Sequence, residues 1–262
     1  MGISEVSFNK SEGTVLFDTQ PAANPTPVAE RTAKLADPGF GRVFTDHMAI
    51  VRYSQAKGWH SARIESRANF ALDPATAVLH YAQEIFEGLK AYRHADGSVW
   101  SFRPEANAER MQRSARRIAL PELPTEDFVE SLRALIAVDE PWVPPAGTGE
   151  TSLYLRPFTF ASEPFLGVRP ADEATYCLIA SPAGAYFPGG LKPVTLWISQ
   201  HYARAGAGGT GAAKAGGNYA SSLAGQLEGI ENGCDQAVFL DSSTQTYIEE
   251  LGGMNLFFVT RD

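Results

Sequence analysis

Lys214 lies in the most unusual stretch of the sequence, the glycine-rich segment 206–218 (GAGGTGAAKAGGN). The small residues around it let the backbone approach a flat ligand closely. A lysine held in a poorly hydrated pocket loses part of its preference for the charged form and becomes a competent nucleophile toward a carbonyl carbon. The alternative is a flexible surface loop with a solvated lysine, because glycine clusters usually mark loops. From this segment alone, both interpretations stay open.

The same segment contains the G-x-G-x-x-G pattern of dinucleotide-binding loops, formed by Gly206, Gly208 and Gly211. In that fold a strand runs directly into the loop, and the last glycine opens a long helix. Here residues 201–205 follow the predicted strand, and the pair Gly216-Gly217 interrupts any helix that starts at the third glycine. A dinucleotide-binding oxidoreductase, with Asp241 as the ribose-binding acid, therefore remains a more distant alternative.

Two adjacent carboxylates, Glu249 and Glu250, end a predicted strand and are followed by Gly252-Gly253. A solvated strand end is one interpretation, because glutamates are mostly exposed. The other is chemical, since a carboxylate that faces a pyridine nitrogen keeps that nitrogen protonated and makes the ring an electron sink. Together with Lys214, such a carboxylate would meet the needs of pyridoxal 5′-phosphate, which forms a Schiff base with a lysine.

Six segments, taken in order, resemble the branched-chain amino-acid aminotransferases of the fold-type IV pyridoxal-phosphate enzymes, the class IV aminotransferases. The segments are 86–92 (FEGLKAY), 102–115 (FRPEANAERMQRSA), 154–157 (YLRP), 184–190 (GAYFPGG), 213–222 (AKAGGNYASS) and 249–258 (EELGGMNLFF). They follow the family's order over most of the chain, and six ordered motifs are far more specific than any single one.

The resemblance implies a transaminase that moves the amino group between leucine, isoleucine or valine and 2-oxoglutarate, with pyridoxal 5′-phosphate as cofactor. It implies that Lys214 forms the Schiff base and carries the substrate proton. The other cofactor contacts that it implies are Glu250 on the pyridine nitrogen, Tyr219 on the phenolic oxygen and Arg110 on the phosphate. The substrate contacts that it implies are Tyr81, Phe86 and Tyr186 around an apolar pocket, Tyr154 near the substrate carboxylate, and Arg156 on the distal carboxylate of glutamate or 2-oxoglutarate.

The upstream residues also have ordinary structural interpretations. Arg110 lies on an arginine-rich stripe of a predicted helix, which is typical of a solvated face. Tyr81 and Phe86 fall on the apolar face of another predicted helix, where core packing is the default. Arg156, within a predicted strand, could form an ion pair with Glu163 or Glu173.

The elements that must position these residues follow from hydrophobic periodicity and from capping signals. Asp73-Pro74 predicts the start of a helix over 75–86. Further helices are predicted over 104–118, 125–138 and 219–232. Strands are predicted over 47–53, 59–64, 89–92, 99–102, 152–160, 175–180, 194–199, 237–240, 247–249 and 255–259.

These elements predict a mixed α/β (α+β) chain, and the resemblance implies the two-domain architecture of fold-type IV aminotransferases with the cofactor between the domains. An N-terminal α/β domain is expected over 1–182, with an irregular arm over 1–38. A Gly/Pro-rich linker over 183–193 leads to part of a C-terminal cofactor-binding domain over 194–262. Family members continue well beyond the Glu250 motif, so this second domain is expected to be incomplete in these residues.

Composition narrows the class of protein. The 262 residues contain 22 Lys and Arg against 30 Asp and Glu, a formal net charge of −8, which argues against general polyanion binding. Two cysteines and five histidines show no metal-type spacing. No run of about 18 apolar residues occurs, and the first residues lack the apolar segment of a secretory signal. We expect a cytoplasmic protein without nucleic-acid, membrane or metal partners, and the resemblance implies a homodimer.

The nearest competing functions belong to the same fold type: a D-amino-acid aminotransferase or a pyridoxal-phosphate-dependent lyase. The segments 86–92 and 184–190 and the long N-terminal arm favour the branched-chain enzyme. A non-catalytic ligand-binding or interaction domain is a third interpretation.

Overall fold

The computed structural model describes residues 16–185 and 192–261. Within these ranges the chain forms an eight-stranded sheet, a three-stranded sheet and five α-helices. The helices are α1 Val28–Ala36, α2 Ala77–Tyr81, α3 Pro104–Arg117, α4 Thr125–Val138 and α5 Gly216–Glu231. The strands are β1 Asp18–Thr19, β2 His47–Ser54, β3 Gly58–Ser66, β4 Glu84–Phe86, β5 Leu89–Arg93, β6 Val99–Ser101, β7 Ser152–Ala161, β8 Glu173–Ala183, β9 Leu196–Ser199, β10 Gln236–Leu240 and β11 Ile248–Leu251.

The larger sheet has the strand order β1-β3-β2-β8-β7-β5-β6, and β4 pairs with β7 outside this path. Apart from the short parallel pair β1–β3 its ladders are antiparallel. Helix α4 buries Phe128, Leu132 and Leu135, the apolar side that its sequence spacing predicts. The core between the helices and this sheet extends to Ala213 and Ala215. The same apolar core therefore supports the two residues that flank Lys214.

The smaller sheet has β10 in its middle, parallel to β9 and antiparallel to β11. Helix α5 lies between β9 and β10 in the chain and packs against both strands. A Cβ atom at Gly225 would lie 2.6 Å from the Phe239 ring, so glycine is required at this contact. This close packing fixes α5 relative to the sheet.

The helix predicted over 75–86 is wrong in extent. Helix α2 covers only Ala77–Tyr81 and ends at Ala82, which adopts the left-handed conformation with φ 48°. The chain then pairs with β7 as strand β4. Asp73 caps a turn that precedes α2, and not the helix itself. Phe86 therefore lies on a strand, where pairing with β7 outweighs the helical periodicity of the sequence.

Most other predicted elements are present with ends shifted by a few residues, and the helix predicted over 125–138 matches α4 at both ends. The arm over 1–38, expected to be irregular, contains helix α1. Residues 255–259, expected to form a strand, have no regular structure. The linker over 183–193 lies partly outside the described residues, and the division into two domains stays a prediction.

Candidate active site

The backbone at Lys214 is fixed from two sides. Its amide donates to the Oγ of Ser114 on α3 at 2.9 Å, and its carbonyl accepts from the amide of Phe86 on β4 at 3.0 Å. An isolated bridge between Ile85 and Ala215 extends the same pairing. Ser114 is fully buried, so this anchor lies inside the protein. Lys214 is thus held between the larger sheet and the start of α5, and not in a free surface loop.

The glycine-rich segment before Lys214 is fastened by Asn218, in the first turn of α5. The buried Asn218 amide donates to the carbonyls of Thr210 and Ala213 at 2.7 and 2.8 Å. Its oxygen accepts from the Thr210 hydroxyl at 2.6 Å. Sequence reasoning missed this role, although an asparagine directly after a glycine pair is a signal for side-chain to backbone bonding.

The side chain of Lys214 meets the two aromatic residues that the resemblance implies. Its Nζ donates to the Tyr219 hydroxyl at 2.9 Å and lies 4.9 Å from the centroid of the Phe86 ring. The Phe86 and Tyr219 rings are themselves 4.8 Å apart. Lys214 is half-buried, so its amine is partly screened from water and still open to a ligand.

The structure separates the two adjacent glutamates of β11. Glu249 is exposed, whereas Glu250 is half-buried and pairs with the guanidinium of Arg204. Arg204 is a buried cation, with its side chain 7% exposed, and its guanidinium carbon lies 5.4 Å from the Tyr219 ring. Glu250, Arg204 and Tyr219 therefore belong to one cluster. Arg204 was missed in the sequence, because an arginine beside a glycine-rich loop carries no pattern.

Arg110 is partly exposed, but it is bound to a buried carboxylate. Its Nε and Nη2 donate to the two carboxylate oxygens of Glu87 at 2.6 and 2.7 Å. Glu87 is completely buried and also accepts from Asn107 at 2.8 Å. This bond with Glu87 raises the pKa of Arg110, and Tyr219 acts in the same direction. Arg110 is therefore a permanent cation beside the Lys214 cluster, and Glu87 is a residue that sequence reasoning missed.

Arg156 and Tyr154 occur together on β7. The Arg156 Nη2 donates to the Tyr154 hydroxyl at 2.9 Å, and its guanidinium carbon lies 4.7 Å from the Phe86 ring centroid. The hydroxyl leaves no room for a side chain at Gly88, where a Cβ would lie 2.2 Å away. The ring of Phe40, another residue missed in the sequence, packs edge-on against Tyr154 at 5.1 Å.

The ion pair considered for Arg156 is not formed. Glu163 pairs with Arg169 at 2.5 Å instead, and Glu173 forms no ion pair with Arg156 among the described residues. The guanidinium of Arg156 thus stays directed toward Tyr154 and Phe86.

Tyr81, which the resemblance implies for the substrate pocket, is not brought to this cluster. The Tyr81 hydroxyl donates to the Leu166 carbonyl at 2.5 Å, and Tyr81 lines a cavity of about 590 Å³ together with Gly217. Within the described ranges, no hydrogen bond or ring contact joins Tyr81 to Phe86 or Lys214. Tyr186 lies outside the described residues. The roles of both stay predictions.

The geometry does not support a dinucleotide site. Strand β9 ends at Ser199 and α5 begins at Gly216, so the three glycines lie inside a loop and do not join a strand to a helix. The Asp241 carboxylate accepts from backbone amides of its own turn, including those of Thr244 and Tyr247. These amides hold the pKa of Asp241 well below its usual range, and the carboxylate is occupied within its own loop.

No cluster of His, Cys, Asp or Glu that could hold a metal ion occurs in the part of the chain that the structure describes. None of its helices is long and apolar enough to cross a membrane.

Comparison with known proteins gives consistent results. The family model of amino-transferase class IV matches residues 84–262. The branched-chain-amino-acid aminotransferase of Mycolicibacterium smegmatis is 61% identical over 249 residues, which are 95% of this chain and 67% of that protein. The solved branched-chain amino acid aminotransferase of T.th. with pyridoxamine 5′-phosphate has a TM-score of 0.63 and 26% identity, covering 81% of this chain and 66% of that chain. The structure of the same enzyme complexed with N-(5′-phosphopyridoxyl)-L-glutamate has a TM-score of 0.62 and 26% identity. The match covers 81% of this chain and 65% of that chain. The chain thus spans about two thirds of the length of these relatives.

Proposed function

Because the chain belongs to the class IV aminotransferases and, within them, to the branched-chain-amino-acid aminotransferases, we propose that it transfers the amino group between a branched-chain L-amino acid and 2-oxoglutarate. The resemblance in the sequence and the mixed α/β fold expected from it are confirmed. The observation that carries the proposal is the contact between the Lys214 amine and the Tyr219 hydroxyl, with the Glu250–Arg204 pair beside it.

The residues present fit pyridoxal 5′-phosphate by their chemistry. Lys214 offers an amine for the aldehyde, Tyr219 a hydroxyl for the phenolic oxygen, and Glu250 a carboxylate for the pyridine nitrogen. Arg110 offers a cation for the phosphate, since Glu87 occupies only its Nε and Nη2 and the guanidinium has five N–H donors in all. The buried Nε of Arg204 has no hydrogen-bond partner in the described residues, which indicates a polar group that the bound state would supply.

When bound, the cofactor supplies an aldehyde for covalent attachment and a ring that takes up the electron pair released at the substrate Cα. The Lys214 amine would take the proton from the substrate Cα and deliver it to C4′ of the cofactor, and in the second half-reaction it would carry a proton in the opposite direction. Its backbone is held by Ser114 and Phe86, so only the side chain moves during this transfer. Arg204 holds the Glu250 carboxylate in position through their ion pair.

The substrate pocket must accept an uncharged side chain in one half-reaction and a carboxylate in the other. Phe86 supplies an apolar surface, and Arg156 lies over one face of it at 4.7 Å. Arg156 has the Tyr154 hydroxyl as a partner, so the cation is not left without a hydrogen bond when leucine is bound. An apolar pocket with one arginine at its edge can therefore serve both substrates.

We also propose that the protein is a homodimer and that it is located in the cytoplasm. Tyr92, Trp100 and Phe102, at and beside the β5–β6 hairpin, are 41%, 38% and 75% exposed. Exposed aromatic groups of this kind are typical of protein interfaces. Sedimentation equilibrium of the purified protein tests the oligomeric state. A single species at the monomer mass would contradict the proposed dimer.

Absorbance spectroscopy tests the cofactor and the lysine. Purified protein with pyridoxal phosphate should absorb near the edge of the visible range, and L-leucine should shift the band. The Lys214→Ala variant should show neither signal, because it lacks the amine. A wild-type protein that stays colourless with added cofactor contradicts the proposal.

A substrate comparison separates the branched-chain enzyme from its nearest relatives. We expect consumption of L-leucine with 2-oxoglutarate and no consumption of D-alanine. The opposite result would replace the proposal with a D-amino-acid aminotransferase, and release of products without amino transfer would indicate a lyase.

A further inference from the structure

We propose that Glu84 is the counter-charge of Arg156 in the substrate pocket and determines how the site discriminates between apolar and dicarboxylic substrates. The inference rests on the proposed function and assigns a specificity role to a residue outside the motifs used so far.

The register of β4 on β7 places Glu84 on the same side of the sheet as the pocket. Glu84 is opposite Phe160, and Phe86 is opposite Phe158. Side chains alternate along a strand, and Ile85 between them is 1% exposed within the core. Glu84 and Phe86 therefore share the opposite face, and Arg156 reaches that face because its guanidinium lies over the Phe86 ring.

The Glu84 carboxylate is held against the first turn of α5. A Cβ atom at Gly216 would lie 1.7 Å from the Glu84 Oε1, so glycine is required for the carboxylate to lie there. The Gly216 amide lies close enough to the carboxylate to act against the rise in its pKa. Gly216 opens a 16-residue helix, whose N-terminus favours a negative charge. Because Gly216 is two residues from Lys214, Glu84 is fixed at the edge of the reaction site.

The charge of Glu84 is linked to that of Arg156. Burial raises the pKa of the Glu84 carboxyl, and the Gly216 amide and Arg156 act in the opposite direction. No ion pair joins Arg156 to any carboxylate of the described residues, and Tyr154 gives it only a neutral partner. Glu84 is thus the negative charge that faces Arg156 across the Phe86 side of the pocket.

This arrangement affects the two kinds of substrate differently. With leucine bound, Arg156 keeps a negative charge within range, so the pocket does not hold an uncompensated cation. With glutamate bound, the distal carboxylate is attracted by Arg156 and repelled by Glu84. Glu84 therefore weakens the binding of dicarboxylates without touching the apolar surface. Specificity of this kind comes from a repulsive element as well as an attractive one.

The Glu84→Gln variant tests this inference. Glutamine keeps an oxygen for the Gly216 amide and removes the charge. Dissociation constants for glutarate and for 4-methylvalerate are measured from the absorbance of the bound cofactor. We expect the variant to bind glutarate about five- to tenfold more tightly, as for one charge pair at a partly exposed site, and 4-methylvalerate within about twofold of wild type. The ratio of kcat/KM for L-glutamate to that for L-leucine should rise by a similar factor.

Three further variants make the result specific. Glu163→Gln removes a carboxylate that pairs with Arg169 and not with Arg156. It should change the dissociation constant of neither glutarate nor 4-methylvalerate. In an Arg156→Gln background glutarate should bind more weakly with either residue at position 84, and Glu84→Gln should still improve its binding, because Glu84 repels the distal carboxylate directly. Glu84→Ser removes the same charge and serves if the glutamine variant does not fold.

The outcomes separate the two proposals. Unchanged glutarate affinity in both charge-removing variants, in a protein that transaminates leucine, would refute the role of Glu84. A wild-type protein that does not transaminate leucine would refute the proposed function instead.

Discussion

At the scale of single residues, the positive charges of the site are each held by a particular neighbour. Arg110 forms two hydrogen bonds with Glu87, Arg204 pairs with Glu250, and Arg156 donates to the Tyr154 hydroxyl. A guanidinium held in this way is oriented before the ligand arrives, so less conformational freedom is lost on binding.

Glu87→Gln tests the first of these pairs. The carboxylate is 0% exposed while the Arg110 side chain is 46% exposed. The loss of unfolding free energy should therefore lie between the losses typical of surface and of buried ion pairs, at about 1–3 kcal/mol. Affinity for pyridoxal phosphate should fall as well. Urea unfolding and a cofactor titration measure the two effects. Glu130→Gln, which breaks the ion pair between Glu130, 13% exposed, and Arg133, 43% exposed, should cost less, at about 1 kcal/mol.

Gly88→Ala tests the substrate side of the site. The new Cβ would lie 2.2 Å from the Tyr154 hydroxyl, so the ring must move and take the Arg156 hydrogen bond with it. We expect KM for 2-oxoglutarate to rise by about tenfold, the effect of about 1.4 kcal/mol, with cofactor affinity retained. Gly167→Ala is the control, because nothing lies within 4 Å of its added Cβ. An unchanged KM in the Gly88 variant would mean that Tyr154 does not orient Arg156.

At the scale of secondary-structure elements, local sequence predicts some elements fully and others poorly. The helix over 125–138 has a clear apolar side, and α4 matches it at both ends. The segment 75–86 has a similar periodicity, yet its last three residues form β4. What decides this is pairing with β7 and with Ala215, and such contacts cannot be read from local periodicity.

The candidate site likewise contains residues that local sequence predicts and residues that it does not. Lys214 and Tyr219 could be predicted because the motif around them is distinctive, and the structure brings them together at 2.9 Å. Ser114, Arg204 and Glu84 could not be predicted. Their importance comes from strand register and helix packing, which place them beside the motif residues from distant parts of the chain.

The close packing of helix α5 against β10 can be tested at two of the glycines of this helix. Gly225→Ala improves helix propensity by about 1 kcal/mol but brings a Cβ to 2.6 Å from the completely buried Phe239 ring. Overpacking of this kind costs about 1–3 kcal/mol, so we expect a net loss of stability in urea unfolding. Gly217→Ala, in the first turn of the same helix with nothing within 4 Å, should be neutral or stabilising. If both variants were stabilising, the contact between α5 and β10 would be looser than the structure has it.

At the scale of the whole molecule, the site lies where the two sheets meet. Ser114 on α3 binds the backbone of Lys214, and Arg117 donates to the carbonyls of Gly208 and Gly209 at 2.9 and 3.1 Å. The larger sheet and its helices thus hold the loop that leads into the helix of the smaller sheet. A ligand bound at Lys214 should therefore act on both sheets and not on the smaller one alone.

This coupling predicts the response of the protein to pyridoxal phosphate. A ligand that binds only the folded state adds about 2.7 kcal/mol of stability at about 100 times its dissociation constant. Hydrogen exchange measured with and without cofactor should then show slower exchange in β7 of the larger sheet as well as in β10 of the smaller one. Lys214→Ala should reduce the effect in both, and pyridoxal without phosphate should give a weaker one. If protection rose only in β10, the contacts through Ser114 and Arg117 would not couple the sheets, and the larger sheet would be a separate unit of unfolding.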